Sequence, residues 1–246
     1  MPRTGAPRVL IVHAHPEPQS FNAAMTRTAV TALQAAGHEV KVSDLYAMGF
    51  DPVSDRRNFV TMADPARLDL QAEEGLASRA GGFVRELQAE MDKLAWCDLL
   101  ILQFPLWWLG PPAILKGWID RVFAIGQTYG GGRWFDGGLM RGKRAMCAVT
   151  IGGPEQSYGP LGIYGPIDAV MHPLHRGVLA FCGFEVIEPF LVFGPGRMDD
   201  DTRGQVLADY RRRIETLATA PTLAPVATAD YGGTIFGQRR AGQTGS

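Results

Sequence analysis

Short, continuous apolar runs alternate along this chain with segments of helical period, and no other feature constrains the fold as much. Residues 8–14 (RVLIVHA), 38–42, 98–104 (DLLILQF), 144–151 (RAMCAVTI) and 185–193 read as five strands. Ser20 is placed to cap the first helix, which runs through Met25, Val30 and Leu33 to a stop at Gly37. Further helices are expected over 83–94, 112–123, 165–181 and 201–217, with a long polar excursion from the second strand to about Gly82. Strands that are apolar throughout, rather than at every second residue, belong to a parallel sheet covered on both faces. Right-handed crossovers then leave few topologies, of which strand order 2-1-3-4-5 is the natural one. Residues 1–218 make this α/β domain. Residues 219–246, rich in Ala, Thr, Pro and Gly, read as a tail without a core of its own.

Composition narrows the function classes. Lys and Arg number 24 against 25 Asp and Glu, a net charge of −1, so nothing electrostatic points to nucleic acid or an anionic membrane. The apolar run at 9–12 is too short for a signal-peptide core, and the uncharged stretch 99–115 is broken by Pro105, Pro111 and Pro112. Cys97, Cys147 and Cys182 are widely spaced in apolar surroundings, as buried thiols of a reducing compartment are. The expectation is a cytoplasmic protein.

In a sheet of this kind ligands sit beyond the carboxyl ends of the strands, so three connections matter. After the first strand comes His15-Pro16-Glu17-Pro18-Gln19-Ser20-Phe21-Asn22, with neither a G-x-G-x-x-G fingerprint nor a Walker lysine. Ser20, Asn22 and the helix-start amides suit a phosphate, although an ordinary N-cap would look the same. After the third strand, Trp107 and Trp108 stand in a loop bounded by Pro and Gly, suited to a flat aromatic ligand or to packing beneath the loop. After the fourth come Thr150-Ile151-Gly152-Gly153, then Tyr158 and Tyr164, a close-approach loop followed by two phenol donors.

Long stretches carry a family resemblance. V-L-I-V-H-A-H-P-x-P-x-S-F-N, S-D-L-Y-A-M-G-F-D-P, Q-F-P-L-W-W-L-G-x-P-A-I-L-K-G-W-x-D-R-V-F, T-x-G-G-x(4)-Y-x(3)-G-I and F-C-G-F-x-V-x-E-P occur in order over about residues 8–217. They resemble the NAD(P)H:quinone oxidoreductases, the DT-diaphorase family of flavodoxin-like flavoproteins. The resemblance implies a homodimer that binds FAD rather than FMN and reduces quinones by two electrons, in ping-pong hydride transfer from NADH or NADPH through the flavin N5. It implies that His15, Ser20, Phe21 and Asn22 hold the pyrophosphate and adenosine side. Pro105, Leu106, Trp107, Trp108 and Leu109 would line the isoalloxazine. Thr150, Ile151, Gly152 and Gly153 would cover its pyrimidine end, with Tyr158 near O2 and Arg203 near the adenylate. Asp120 takes the place of a glutamate that reaches the partner subunit's cofactor, and Tyr129 and Gly131 those of two tyrosines roofing the partner's quinone pocket, which Trp108 also lines. Tyr164 stands where the mammalian enzymes have an active-site histidine, and Asp69 where a flavin-binding glutamine is expected. Tyr158 and Tyr164 are thus the expected catalytic pair, without a histidine relay.

Other readings stay open at this level: an ancillary subunit of a potassium-efflux system, an azo- or nitro-compound reductase, or a one-electron carrier, against which the near-neutral charge speaks. His172 and His175 share a helix face but lack a third metal ligand nearby, so no metal site is expected. Arg211, Arg212 and Arg213 read as a solvated helix face.

Overall fold

The computed structural model describes residues 6–238; residues 1–5 and 239–246, the ends of the expected domain and tail, lie outside them. Its elements in chain order are β1 (Val9–His13), α1 (Phe21–Ala35), β2 (Val40–Asp44), α2 (Leu70–Ala80), α3 (Arg85–Trp96), β3 (Leu99–Pro105), α4 (Ala113–Val122), β4 (Arg144–Ile151), α5 (Ile167–Leu174), β5 (Glu185–Phe193) and α6 (Asp200–Glu215). The five strands form one parallel sheet in the order β2-β1-β3-β4-β5. The flavodoxin-like topology expected from the strand pattern is the one observed.

Both faces are covered, and the alternation along each central strand shows how. Val9 and Ile11 of β1 point into a core with Met25, Ala29 and Leu33 of α1 and Tyr210 and Ile214 of α6. Leu10 and Val12 point the other way, toward Leu87 and Leu94 of α3 and Trp118 of α4. The edges depart from the continuous-burial rule. In β2, the edge strand of the sheet among the described residues, Lys41 and Val42 are exposed. The opposite edge is partly closed by residues 221–223. Thr222 bridges Ile187 antiparallel, and the Leu223 amide donates to the Val186 carbonyl at 2.8 Å.

Three details differ from the sequence expectation. The polar excursion contains a helix, α2, capped by Asp69, whose carboxylate accepts the Ala72 amide at 3.1 Å. Its buried positions are Glu73, Glu74 and Ala77, so the apolar stripe that marks a helix is missing. The helix expected over 165–181 changes character midway, with α5 passing into a π-helical segment, His175–Ala180. Pro173 lies inside α5 and has no amide to donate, which favours such a register change. Finally, β2 sits two residues later than expected, with Ser43 buried at its end.

Candidate active site

Three connections meet at the carboxyl edge of the sheet. In the first, the Glu17 amide donates to His15 Nδ1 at 3.0 Å and the Gln19 amide to the Glu17 carboxylate at 2.8 Å. Ser20 then caps α1, its hydroxyl accepting the Ala23 amide at 3.1 Å. The opening amides of a helix have no acceptor within it, so those of Phe21 and Asn22 suit an anionic group. Asn22 itself is buried. Its Nδ2 donates to Thr150 Oγ1 at 3.1 Å, spanning from α1 to the end of β4. Its Oδ1 has no partner among the described residues. An amide oxygen buried in this way wants a donor from elsewhere.

The second connection is a tight turn. Trp107 and Gly110 exchange two backbone hydrogen bonds, at 2.9 and 3.0 Å. Between them Trp108 has φ +52° and Leu109 φ +58°, the left-handed pattern of a type I′ turn. Asn-Gly normally fills such a turn. Bulky side chains there cost about 1–3 kcal/mol each. The amides of Trp108 and Leu109 make no hydrogen bond among the described residues. Trp108 is fully exposed, while Trp107 and Leu109 are partly so. The His15 imidazole lies 6.3 Å from the Trp107 ring, and burial pushes its pKa below the ordinary value.

The third connection is fixed from the β5 side. Gly194 donates its amide to the Ile151 carbonyl at 2.7 Å, and Arg197 donates to the Gly152 carbonyl at 2.7 Å. A Cβ at Gly153 would meet the Tyr158 ring at 3.0 Å, tighter than an ordinary contact, so a side chain there would push the tyrosine aside by a few tenths of an ångström. Tyr158 is buried, its ring 5.8 Å from Phe193 and 5.0 Å from Tyr164, the latter tilted by 30°. Burial raises the Tyr158 pKa above the ordinary phenol value, and Tyr164 adds to the effect, so the group is a neutral donor near pH 7. Tyr164 is half exposed, and Leu161 and Ile163 beside it are almost fully so.

Other candidates stand apart. Arg203, in the first turn of α6, donates to the Pro195 carbonyl at 3.1 Å and to Asp200 at 3.0 Å. Asp120 on α4 pairs with Lys116 at 2.6 Å. Tyr129 lies on the connection that returns to the amino end of β4, away from Tyr158 in the same chain, and packs on Phe181 at 5.6 Å. Burial, then the nearby Glu74, raises its pKa. Gly131 follows with φ +61°, a conformation in which a tyrosine would be strained. Among the described residues, no group of three or more His, Cys, Asp or Glu is placed to hold a metal ion, and no helix is long and apolar enough to cross a membrane.

Sequence reasoning missed Arg197, Phe193 and Phe181 as supports. Arg197 and Phe193 carry no local signal. Phe181 lies in the F-C-G-F motif, which indicated family membership but not the contact with Tyr129.

Comparison with known proteins agrees with this geometry. A family model described as having a flavodoxin-like fold matches residues 7–217. The chain is 43% identical over 211 residues to NAD(P)H dehydrogenase [quinone] 1 of Cavia porcellus, covering 85% of this chain and 77% of that one. It is 37% identical over 211 residues to the human ribosyldihydronicotinamide dehydrogenase [quinone], covering 85% and 91%. A solved structure from Klebsiella pneumoniae, of a protein proposed to be a quinone reductase, superposes with a TM-score of 0.86 at 38% identity over 89% of this chain and 88% of the other. The chain belongs to the NAD(P)H dehydrogenase (quinone) family of oxidoreductases, built on the flavodoxin-like fold.

Proposed function

We propose that this protein reduces quinones with NADH or NADPH through bound FAD, as a homodimer whose active sites lie between subunits. Residues 1–218 would form the flavin-binding unit, with 219–246 as its appendage.

The Trp107–Gly110 turn carries the assignment: two strained residues offer two free amides and an exposed indole at the topological switch point. Strain of this sort persists where function needs it. The chain's own groups fit a flavin. The buried Asn22 Oδ1 lacks a donor among the described residues, and open space lies beside Gly152, where a Cβ would meet nothing within 4 Å. His15, Ser20, Phe21 and Asn22 would hold the pyrophosphate side, with Arg203 toward the adenylate. The free amides of Trp108 and Leu109 would hold one edge of the ring system, with Pro105, Leu106 and Trp107 lining it. Thr150, Ile151, Gly152 and Gly153 would hold the other. A bound flavin supplies two-electron chemistry, taking hydride from the nicotinamide and passing it to the quinone. Tyr158 donates a hydrogen bond where negative charge gathers during reduction, and its burial makes that bond stronger than it would be in water. Tyr164 stacks beside it and orients it.

The proposed dimer accounts for residues that one chain leaves idle. Trp108, Leu161 and Ile163 form apolar surface at the site's rim, the kind that a two-fold partner covers. Tyr129, which packs on Phe181 on the connection between α4 and β4, would serve the neighbour. Asp120 and Gly131 belong to that same proposed interface.

Three measurements on purified protein test this. Heat-released cofactor should have the mass of FAD; FMN alone would reject the FAD assignment. NADH or NADPH should bleach the flavin absorbance and a quinone restore it. Sedimentation should show a dimer, and a fully active monomer would overturn the shared-site arrangement.

A further inference from the structure

A half-open cavity of about 820 Å³ lies away from the carboxyl edge, between α5 with its π-helical extension, the start of β5 and the docked segment that follows α6. Phe135, Phe184, Val186 and residues 223–226 are among the residues that line it. Its size suits a small molecule, and its walls follow the usual pattern of such sites, apolar with a few converging polar groups.

Those polar groups are unevenly committed. Asp136 keeps its charge but is held in place: its two oxygens accept from the Thr228 amide and hydroxyl at 3.2 and 2.8 Å. Glu185 lies 3.6 Å from Arg144. Asp168 is the third carboxylate of the lining and has no such partner among the described residues. On the cationic side, Arg141 has no side-chain partner among the described residues. Arg176 donates to the Tyr231 hydroxyl at 2.8 Å and its guanidinium carbon lies 5.9 Å from the centre of the Phe135 ring, with further N–H groups to spare. His175, buried in the wall, has an Nε2 with no partner among the described residues. Burial holds its imidazole neutral, its pKa pushed down to about 4. Two guanidiniums and an unpartnered neutral imidazole therefore share the lining with two carboxylates that lack a cationic partner, Asp136 and Asp168, and among the described residues Arg141 is the guanidinium left without a partner.

We propose that this cavity is an accessory binding site for a small, flat aromatic acid. Its ring lies against Phe135, Phe184 and Val186, and its anionic group pairs with Arg141, with Arg176 alongside.

Calorimetric titration of the full-length, flavin-loaded protein with 2-naphthoate tests the site. One molecule should bind per chain. Ala224→Trp, which fills the cavity from an exposed position in the docked segment, should weaken binding at least about tenfold. Arg141→Gln, at an exposed residue, should weaken it about fivefold even if the tryptophan variant misfolds. Trp108→Ala should leave the affinity within about twofold, since that residue is at the other site. An aromatic cation of the same size, 2-naphthylmethylammonium, should bind at least about tenfold more weakly. The proposal is overturned if 2-naphthoate does not bind, if a folded Ala224→Trp or the Arg141→Gln variant binds it unchanged, if Trp108→Ala abolishes binding, or if the cation binds more tightly.

Discussion

Two irregular stretches of this molecule solve opposite problems. The excursion between β2 and α3 buries its charges. Glu73 accepts from Arg56 at 3.3 Å and from the Ala63 amide at 2.8 Å, and Glu74 accepts the Ile125 amide at 2.8 Å. Buried Arg121 donates to Asn58 Oδ1 at 2.8 Å and also to the Asp51 carbonyl. The turn after β3 does the reverse, with a tryptophan outside, two unpaired amides and two strained residues. Polar groups that are buried and satisfied within the chain hold the fold. Apolar groups and free amides kept exposed at a cost in strain are what a ligand or partner would use.

If that contrast is sound, mutations in the two stretches should separate stability from activity. The largest effect is expected at Arg121→Ala, which strands the Asn58 and Asp51 acceptors and should cost roughly 3 kcal/mol of stability in urea unfolding. The folded fraction should keep its rate of flavin reduction within about twofold. Loss of rate without loss of stability would place Arg121 in the site and break the comparison.

Tyr158→Phe comes next, with the opposite signature. Losing one hydrogen-bond donor to developing charge should slow flavin reduction by roughly ten- to a hundredfold, about 1.4–2.7 kcal/mol, in stopped-flow mixing with NADH or NADPH. Trp108→Ala should be milder still. Removing a fully exposed indole should move stability by no more than about 0.5 kcal/mol. Quinone turnover should fall about tenfold, as kcat/KM, because the wall of the pocket is lost. A large stability loss in this variant would mean that the indole packs in solution and is not held out for a ligand.

The same contrast explains what could be read from the sequence. Strands 98–104 and 144–151 were legible because both faces are buried, so all positions but Asp98, Gln103, Arg144 and Thr150 are apolar. Helix α2 was not, since it buries Glu73 and Glu74 against Arg56 and a backbone amide; burial and hydrophobicity part company where charges are paired. The π-helical turn escaped because Pro173 at an interior helix position signals a break without specifying how the backbone repairs it. At the site, Trp107, Trp108, Gly152 and Gly153 stood out by type and by their place after strands. Arg197, which holds the Gly152 carbonyl, comes from beyond β5 and has no periodic or motif signal. Tyr129 and Tyr158 were named together through the resemblance, yet one chain does not bring them together. That separation is what the proposed dimer would bridge, with Tyr129 serving the neighbouring subunit's site.

The smallest expected effect is the most specific. Tyr164 stacks on Tyr158 with 5.0 Å between ring centres, and it is half exposed where Tyr158 is buried. A phenol there cannot take up a proton near neutral pH, whereas an imidazole with an ordinary pKa of about 6.5 can. Tyr164→Phe should therefore slow flavin reduction only about two- to fivefold, through looser placement of Tyr158. In the unmodified protein the rate of flavin reduction should be nearly flat from about pH 6 to 8. The His15 ring lies 6.3 Å from that of Trp107, and burial lowers its pKa, so its protonation belongs to the acid side of that window. Burial raises the Tyr158 pKa, which moves loss of its proton further to the alkaline side. Tyr164→His should put a step into the window, with the rate changing as the new imidazole titrates. A clear step near pH 7 in the unmodified protein would mean that another group controls the proton, and Tyr164 would then no longer mark the difference between this site and a histidine-bearing one.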